Sequence, residues 1–121
     1  MTWRKFVVEI GVGVDHHGQD PTKAARRAVR DAISRVVLAG LLDLLGADLE
    51  RDVRVEVLVG VPRPGEVRPE EVASEVPIGS VEVRAVEGGL SFEGVMEPEF
   101  GDTSPEVLVA VAAITVWVRA P

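Results

Sequence analysis

The stretch FVVEIGVGVDHHGQDPTKAARRAVRDAI, residues 6–33, contains in order the patterns of a strand, a polar loop and a helix. All even positions from Phe6 to Val14 are apolar, which predicts a strand whose even side chains form one apolar face toward the core. Asp20 suits a helix N-cap and Pro21 the first helical position. The helix is then predicted from apolar residues at helical spacing: Ala25, Ala28, Val29, Ala32, Ile33 and Val36.

Further along the chain, the helical pattern either continues through Gly40 or is broken there, and Gly46 is a suitable C-cap. RDVRVEVLVGVP, residues 51–62, alternates again and predicts a second strand. The proline-rich stretch 62–77 predicts a loop, with one turn of helix in PEEVASE at residues 69–75.

The last third of the chain predicts three more strands. SVEVRAV (80–86) and LSFEGV (90–95) flank Glu87-Gly88-Gly89, which is typical of a tight hairpin turn. EVLVAVAAITVWV (106–118) is apolar at both parities, as expected for a central strand covered on both faces. The prediction is a single α+β domain over residues 1–121, a β-α-β-β-β-β sandwich with one long helix on one face of a mixed sheet. Its β-α-β part should be parallel, with a right-handed crossover.

Composition limits the class of protein. Aromatic residues make up only 4% of a chain that is 46% hydrophobic, so the core must consist mainly of Val, Ala, Leu and Ile. The net charge of −7 argues against binding to nucleic acid or to an anionic membrane surface. The absence of cysteine excludes disulfides and thiolate chemistry. The first residues lack the pattern of a signal peptide and no apolar run has membrane-spanning length, so we expect a cytoplasmic protein.

The sheet is predicted to have more apolar surface than its own helix can cover. One helix covers one face, yet the last strand has apolar side chains on both. A large exposed apolar patch usually marks an interface, and a second copy of the chain is the simplest cover. We therefore expect a homo-oligomer, the alternative being that the proline-rich stretch folds over that face.

The loop after the first strand is the candidate site. Side chains alternate between the two sides of an extended chain. The same side is therefore expected to carry Gly11, Gly13, Asp15 and His17. Glycines in a strand mark the close approach of a ligand or of another backbone. Gly18 permits a turn, and Asp20 begins a helix whose N-terminal amides favour anions. These features predict a polar small-molecule pocket.

Asp15 and His17 are the candidate catalytic residues, because a carboxylate beside an imidazole fixes its tautomer for general acid–base chemistry. Whether the site is enzymatic stays open. The alternative is a structural or interaction module, in which the Gly/Asp/His loop serves packing and assembly. The candidate ligand-binding residues are Gly11, Gly13, Gly18, Asp20, Lys23, Glu87 and Asp102.

Other kinds of site fit less well. Asp15 places a negative charge in the glycine-rich loop, and Gly18 comes two residues too late for the dinucleotide pattern G-x-G-x-x-G. The two histidines are adjacent, without the spacing of a zinc site, so we predict neither a metal nor a cofactor. Ser34, Ser91 and Ser104 lack a nucleophile-elbow motif.

The arrangement Gly11-x-Gly13-x-Asp15-x-His17-Gly18 resembles the G-x-G-x-D-x-H-G signature of a small family of conserved hypothetical proteins. This family occurs in bacteria and, with a long N-terminal extension, in plants. The similarity extends through residues 17–33, the VEGG turn at 86–89 and Gly101-Asp102. The resemblance implies that the five signature residues are the hallmark of the family, and it implies no particular activity.

Overall fold

A computed structural model describes residues 2–36, 43 and 46–120. Within these ranges the chain forms an α+β domain with one five-stranded mixed sheet, as predicted. Two short 3₁₀ turns lie at Pro64–Glu66 and Pro98–Phe100. The strands and helices are, in chain order, β1 (Thr2–Asp15), α1 (Pro21–Ile33), β2 (Val53–Gly60), α2 (Pro69–Ala73), β3 (Ser80–Val86), β4 (Leu90–Glu93) and β5 (Glu106–Ala120).

β5 is the centre of the sheet, whose order is β1-β5-β2-β3. β1 and β2 each pair with β5 antiparallel, and β3 pairs with β2 in parallel. The central position predicted for the last strand is confirmed. β1 and β2 run in the same direction, as predicted for the β-α-β part, but β5 lies between them and they do not pair.

The predicted hairpin between β3 and β4 is wrong. β4 pairs with β5, with Leu90 opposite Val109, and so continues the line of β2, whose Gly60 lies opposite Val111. The Gly88-Gly89 pair carries the chain across the end of β2. A Cβ on Gly88 would lie 3.1 Å from the Cα of Gly60. Gly89 has a φ of 66°, and a Cβ there would overlap the carbonyl of Val109.

Both helices lie on one face of the sheet, and α1 sits directly on β1. A Cβ on Gly11 or Gly13 would overlap the backbone of Ala28. The hydrogen side chains of the two glycines therefore let the helix backbone approach the strand closely. α1 faces them with a row of alanines spaced four residues apart: Ala24, Ala28 and Ala32.

Except at Val107, beside Gly94, the other face of the sheet has no cover from the described residues. The prediction that the even side chains of β1 face the core is therefore wrong: Val8, Ile10 and Val12 are 53%, 58% and 51% exposed. The physical reason is that the glycine side of β1 is the side on which a helix can approach closely. We call this second surface the open face. Its exposed apolar residues are Val8, Ile10, Val12, Leu58, Leu90 and Val111.

The proline-rich stretch does not cover the open face, so that alternative is wrong. It forms α2, near the predicted helical turn, and packs with α1 over the covered face through Val67, Val72 and Val76. Gly40, at which the helical pattern was expected either to continue or to break, lies outside the described residues; α1 ends at Ile33, and Gly46 has a φ of 58°. No helix within the described ranges is long and apolar enough to cross a membrane.

Side chains of α1 and of the turn that follows it bond to the outer edge of β1. Arg35 donates to the Asp31 carboxylate. This hydrogen bond and the one from the Val12 amide lower the pKa of Asp31 to about 2. Three side chains spaced four residues apart bond to the strand backbone: Arg27 Nη1 donates to the carbonyl of Val14 (2.7 Å), Asp31 Oδ2 accepts from the amide of Val12 (2.9 Å) and Arg35 Nη2 donates to the carbonyl of Ile10 (2.6 Å).

Candidate functional site

Asp15 organises the loop between β1 and α1 and is only 2% exposed. Its Oδ2 accepts from the backbone amide of Asp20 at 3.0 Å, and its Oδ1 accepts from the amides of Gly18 at 3.2 Å and His17 at 3.4 Å. The guanidinium of Arg27 lies 3.6 Å from Oδ1. The Asp15 carboxylate therefore binds the loop backbone and lies beside the guanidinium of Arg27 on α1.

The His17 ring has a different carboxylate partner from the one predicted. Its Nδ1 lies 3.0 Å from Oδ2 of Asp102, whereas Asp15 contacts only the backbone amide of His17. The expected Asp15–imidazole pair is therefore absent from the described contacts. β1 ends at Asp15 and the chain then bends, so side chains no longer alternate between two sides and His17 turns away from Asp15.

Asp102 is buried behind the imidazole, with 6% of the residue exposed. The hydrogen bond from the His17 ring, together with one from the Glu97 amide at 2.8 Å, holds the pKa of Asp102 below its usual value. An ionised carboxylate can only accept, so the hydrogen must sit on Nδ1 of His17. In the neutral ring Nε2 is then an acceptor, and it has no hydrogen-bond partner among the described residues.

His17 borders an open cleft of about 490 Å³. The Phe100 ring lies against the imidazole, with 5.0 Å between ring centroids. Phe92 on the opposite wall belongs to β4 and pairs with Val107, so the cleft lies at the end of the open face. The other lining residues are His16, Gly94, Val95 and Glu97.

Gln19 and Arg63 fix the loops that form the cleft, and both have a left-handed backbone, with φ of 46° and 55°. The side-chain nitrogen Nε2 of Gln19 donates to the carbonyl of Glu106 at 3.3 Å. Arg63 binds the Glu106 carboxylate through two nitrogens, at 2.9 and 3.0 Å, and also donates to the carbonyl of Gln19. The loop after β1 is thereby attached to the start of β5.

The loop after β1 and the first turn of α1 hold three of the other predicted residues. Gly18 and Lys23 lie together: a Cβ on Gly18 would be 2.8 Å from Oδ2 of Asp15 and 3.2 Å from Nζ of Lys23. Asp20 caps α1, as predicted, by accepting from the Thr22 amide at 2.9 Å. Of the nine predicted site residues, only His17 is among those that line the cleft. Gly11 and Gly13 lie under α1, and Glu87 lies at the turn between β3 and β4.

The aromatic walls of the cleft and the residues that fix its loops were not predicted from the sequence. The chain has three phenylalanines, and two of them, Phe92 and Phe100, are 51% and 68% exposed. Two phenylalanines in polar segments of an aromatic-poor chain were the available signal. Gln19 and Arg63 carried none, because their partners lie more than forty residues away in the sequence. In the described part of the chain, no group of three or more His, Asp or Glu side chains is arranged to hold a metal ion.

Comparisons with known proteins agree with the predicted resemblance. The family model Lin0512, a conserved hypothetical protein family, matches residues 5–116. The crystal structure of an FtsZ-like protein of unknown function from Nostoc punctiforme is 39% identical, with a TM-score of 0.87 over 98% of each chain. No curated protein matches the sequence. Because the match covers most of the chain, the protein belongs to the Lin0512 family of conserved hypothetical proteins.

Proposed function

We propose that the cleft binds a small molecule and that His17, held by Asp102, transfers a proton to or from it. The observation that supports this most directly is the 3.0 Å contact between the half-exposed imidazole and the buried carboxylate, at the border of a cleft. A carboxylate behind an imidazole fixes the tautomer and stabilises the imidazolium that forms when the other nitrogen accepts a proton.

In this proposal each ring nitrogen of His17 has one task. Nδ1 keeps its hydrogen and donates it to Asp102, and Nε2 accepts a proton from an acidic group of the bound molecule. The positive charge that develops on the ring is stabilised by the Asp102 carboxylate. The imidazolium can then return the proton to another atom of the same molecule, which makes an isomerisation or an addition–elimination compatible with one histidine.

The lining of the cleft favours a flat and partly apolar ligand. Phe92 and Phe100 offer aromatic faces, and Val95 and Val107 add apolar surface. The volume of about 490 Å³ falls within the range of pockets that bind small molecules. Glu97 is the acidic residue on the wall.

The second candidate function is a structural or interaction module. The hydrogen bonds of Asp15 favour it, because this signature carboxylate accepts from backbone amides and serves loop geometry. Under this alternative the bond between His17 and Asp102 would only attach residues 97–102 to the loop after β1. We further propose that the chain is a homo-oligomer, which would remove the apolar side chains of the open face from water.

The proposed site can be tested by measuring fragment binding through the NMR resonances of the two imidazole rings. We expect planar heteroaromatic fragments to shift the His17 resonances, and His17→Ala or Asp102→Asn to weaken that binding at least tenfold. His16→Ala is the matched control, because His16 lines the same cleft and has no carboxylate partner among the described residues. If fragments bind equally well to all three variants, the proton-transfer site is wrong and the structural module is favoured.

A further inference from the structure

The open face has a basic end opposite the cleft. Lys5, Trp117 and Arg54 lie side by side on three adjacent strands, with Lys5 Nζ 5.3 Å from the centre of the Trp117 ring. The Arg54 guanidinium stacks 4.7 Å from the Trp3 ring, which pairs across the strands with Arg119. Neither Lys5 nor Arg54 has an ion-pair partner among the described residues, and the buried Arg54 Nε and Trp117 Nε1 lack acceptors there.

The cleft end of the sheet is acidic. Glu97 lines the cleft, and Glu93 and Glu99 lie in the same segment of the chain. None of these three carboxylates has an ion-pair partner within the described ranges. Ten residues of β5 separate Trp117, beside Lys5, from Val107, beside Phe92, so the two ends lie about 33 Å apart at about 3.3 Å per residue.

A second copy could cover the open face in two symmetric ways. A two-fold axis parallel to the strands would place basic end on basic end and acidic end on acidic end. A two-fold axis perpendicular to the strands places each basic end on the acidic end of the partner, with the apolar residues between them. Of the other charged residues on this face, Glu56 lies on β2, two residues from Arg54, and Glu82 and Arg84 lie on β3, so none of the three is on β1 or β5.

We infer that two copies pack their open faces together about an axis perpendicular to the strands, crossing near Val111. In this dimer the partner's Lys5 and Arg54 lie over the cleft beside His17, so each site is built from two chains. If His17 acts as in the proposed function, on which this step rests, the ligand of the two-chain site is a planar molecule with a carboxylate. The carboxylate binds the partner's cations, while the ring lies between Phe92 and Phe100.

Zero-length cross-linking with a carbodiimide tests the orientation without any ligand. The reagent joins an amine and a carboxylate in direct contact as an amide, with loss of water. We expect Lys5 joined to Glu97 or Glu99, in a species of twice the 13.0 kDa chain mass. The roughly 33 Å separation rules out such a link within one chain, and a mixture of ¹⁴N- and ¹⁵N-labelled protein identifies it as intermolecular. A monomer in light scattering at micromolar concentration, or a dimer in which Lys5 links to no residue of the acidic end, overturns the inference.

Mixing two defective variants tests the shared site. The probe is benzoate, with neutral benzamide as the matched ligand. We expect the parent to prefer benzoate about tenfold, and Lys5→Glu, but not Lys5→Arg, to lose that preference while still binding benzamide. His17→Ala should bind neither ligand well. After subunit exchange, half of the dimers in an equal mixture of His17→Ala and Lys5→Glu are mixed, each with one intact cleft, so about one cleft in four should bind benzoate.

The cross-linking and mixing experiments together distinguish failure of this inference from failure of the proposed function. If benzamide binding depends on His17 but mixing restores no benzoate binding, the two-chain site is wrong and the His17 site stands. If the expected cross-link forms but neither probe binds the parent, the orientation stands, while the proposed function and the carboxylate site both fall.

Discussion

The two halves of the G-x-G-x-D-x-H-G signature lie in different environments. Gly11, Gly13 and Asp15 are buried, the glycines against the backbone of α1 and the carboxylate among loop amides. His17 and Gly18 lie at the surface, and the imidazole contacts Asp102 from a distant loop. The signature therefore combines two physical requirements: a close helix–strand contact and a chemically available ring. A place in this motif does not by itself show that a residue touches a ligand.

Substituting Gly13 should have the largest effect on stability. Gly13→Ala places a methyl group within the backbone of Ala24 and Ala28, which cannot move independently of the helix. We expect the free energy of unfolding to fall by about 3 kcal/mol, at the upper end of the cost of overpacking, as measured by urea denaturation. Gly65→Ala is the control, because a Cβ at Gly65 would meet no atom within 4 Å. Equal stability of the two variants would contradict the close-contact role of Gly13.

Asp15 is the residue at which the two halves meet, and its substitution should have the second-largest effect. Asp15→Asn removes the charge that the Arg27 guanidinium faces and weakens the acceptor for the loop amides. We expect a loss of about 2 kcal/mol, typical of hydrogen bonds to a buried charged group. Glu99→Gln, at an exposed position, should change little in the same denaturation assay. A loss of fragment binding without a loss of stability would instead place Asp15 in the ligand site.

The contribution of the second half of the signature to the free energy of unfolding should depend on pH. The pKa of Asp102 is lower in the folded chain than its usual value of 3.8, mainly because the His17 ring donates to it. The ionised carboxylate therefore stabilises the fold above the usual pKa, and this contribution is lost as the pH falls through the lower folded pKa. Parent and Asp102→Asn should differ in unfolding free energy at neutral pH and converge in acid. A difference that is constant with pH would exclude the ionised pair.

The smallest effect is expected at Asp31, on the surface side of the contact between α1 and β1. Its pKa of about 2 results from hydrogen bonds with Arg35 and the Val12 amide. A lowered carboxyl pKa gives stability that is present above 3.8 and lost as the pH falls toward about 2. Asp31→Asn should reduce that acid dependence slightly in a pH series of thermal unfolding, with the exposed Glu99→Gln as the control. An unchanged series would show that the hydrogen bonds of Asp31 contribute nothing measurable to stability.

Local sequence patterns predicted much of the fold. The N-cap at Asp20, the helical turn after Pro69 and the central strand follow from signals within a few residues of each other. The orientation of β1 did not, because either side of the strand could have faced a helix until the glycine and alanine rows were matched. The pairing of β4 with β5 and of His17 with Asp102 depends on contacts between distant segments, which one sequence does not reveal.

The row of Arg27, Asp31 and Arg35 along β1 has a consequence for how this protein can misassemble. An unpaired edge strand offers its amides and carbonyls as a template on which another chain can add a strand, and such addition starts fibres and domain swaps. On β1 those groups at Ile10, Val12 and Val14 are already bonded to side chains of the same molecule. An incoming strand would have to displace three charged partners at once. The protein can therefore keep a long valine-rich strand at the rim of its sheet without that rim recruiting further chains.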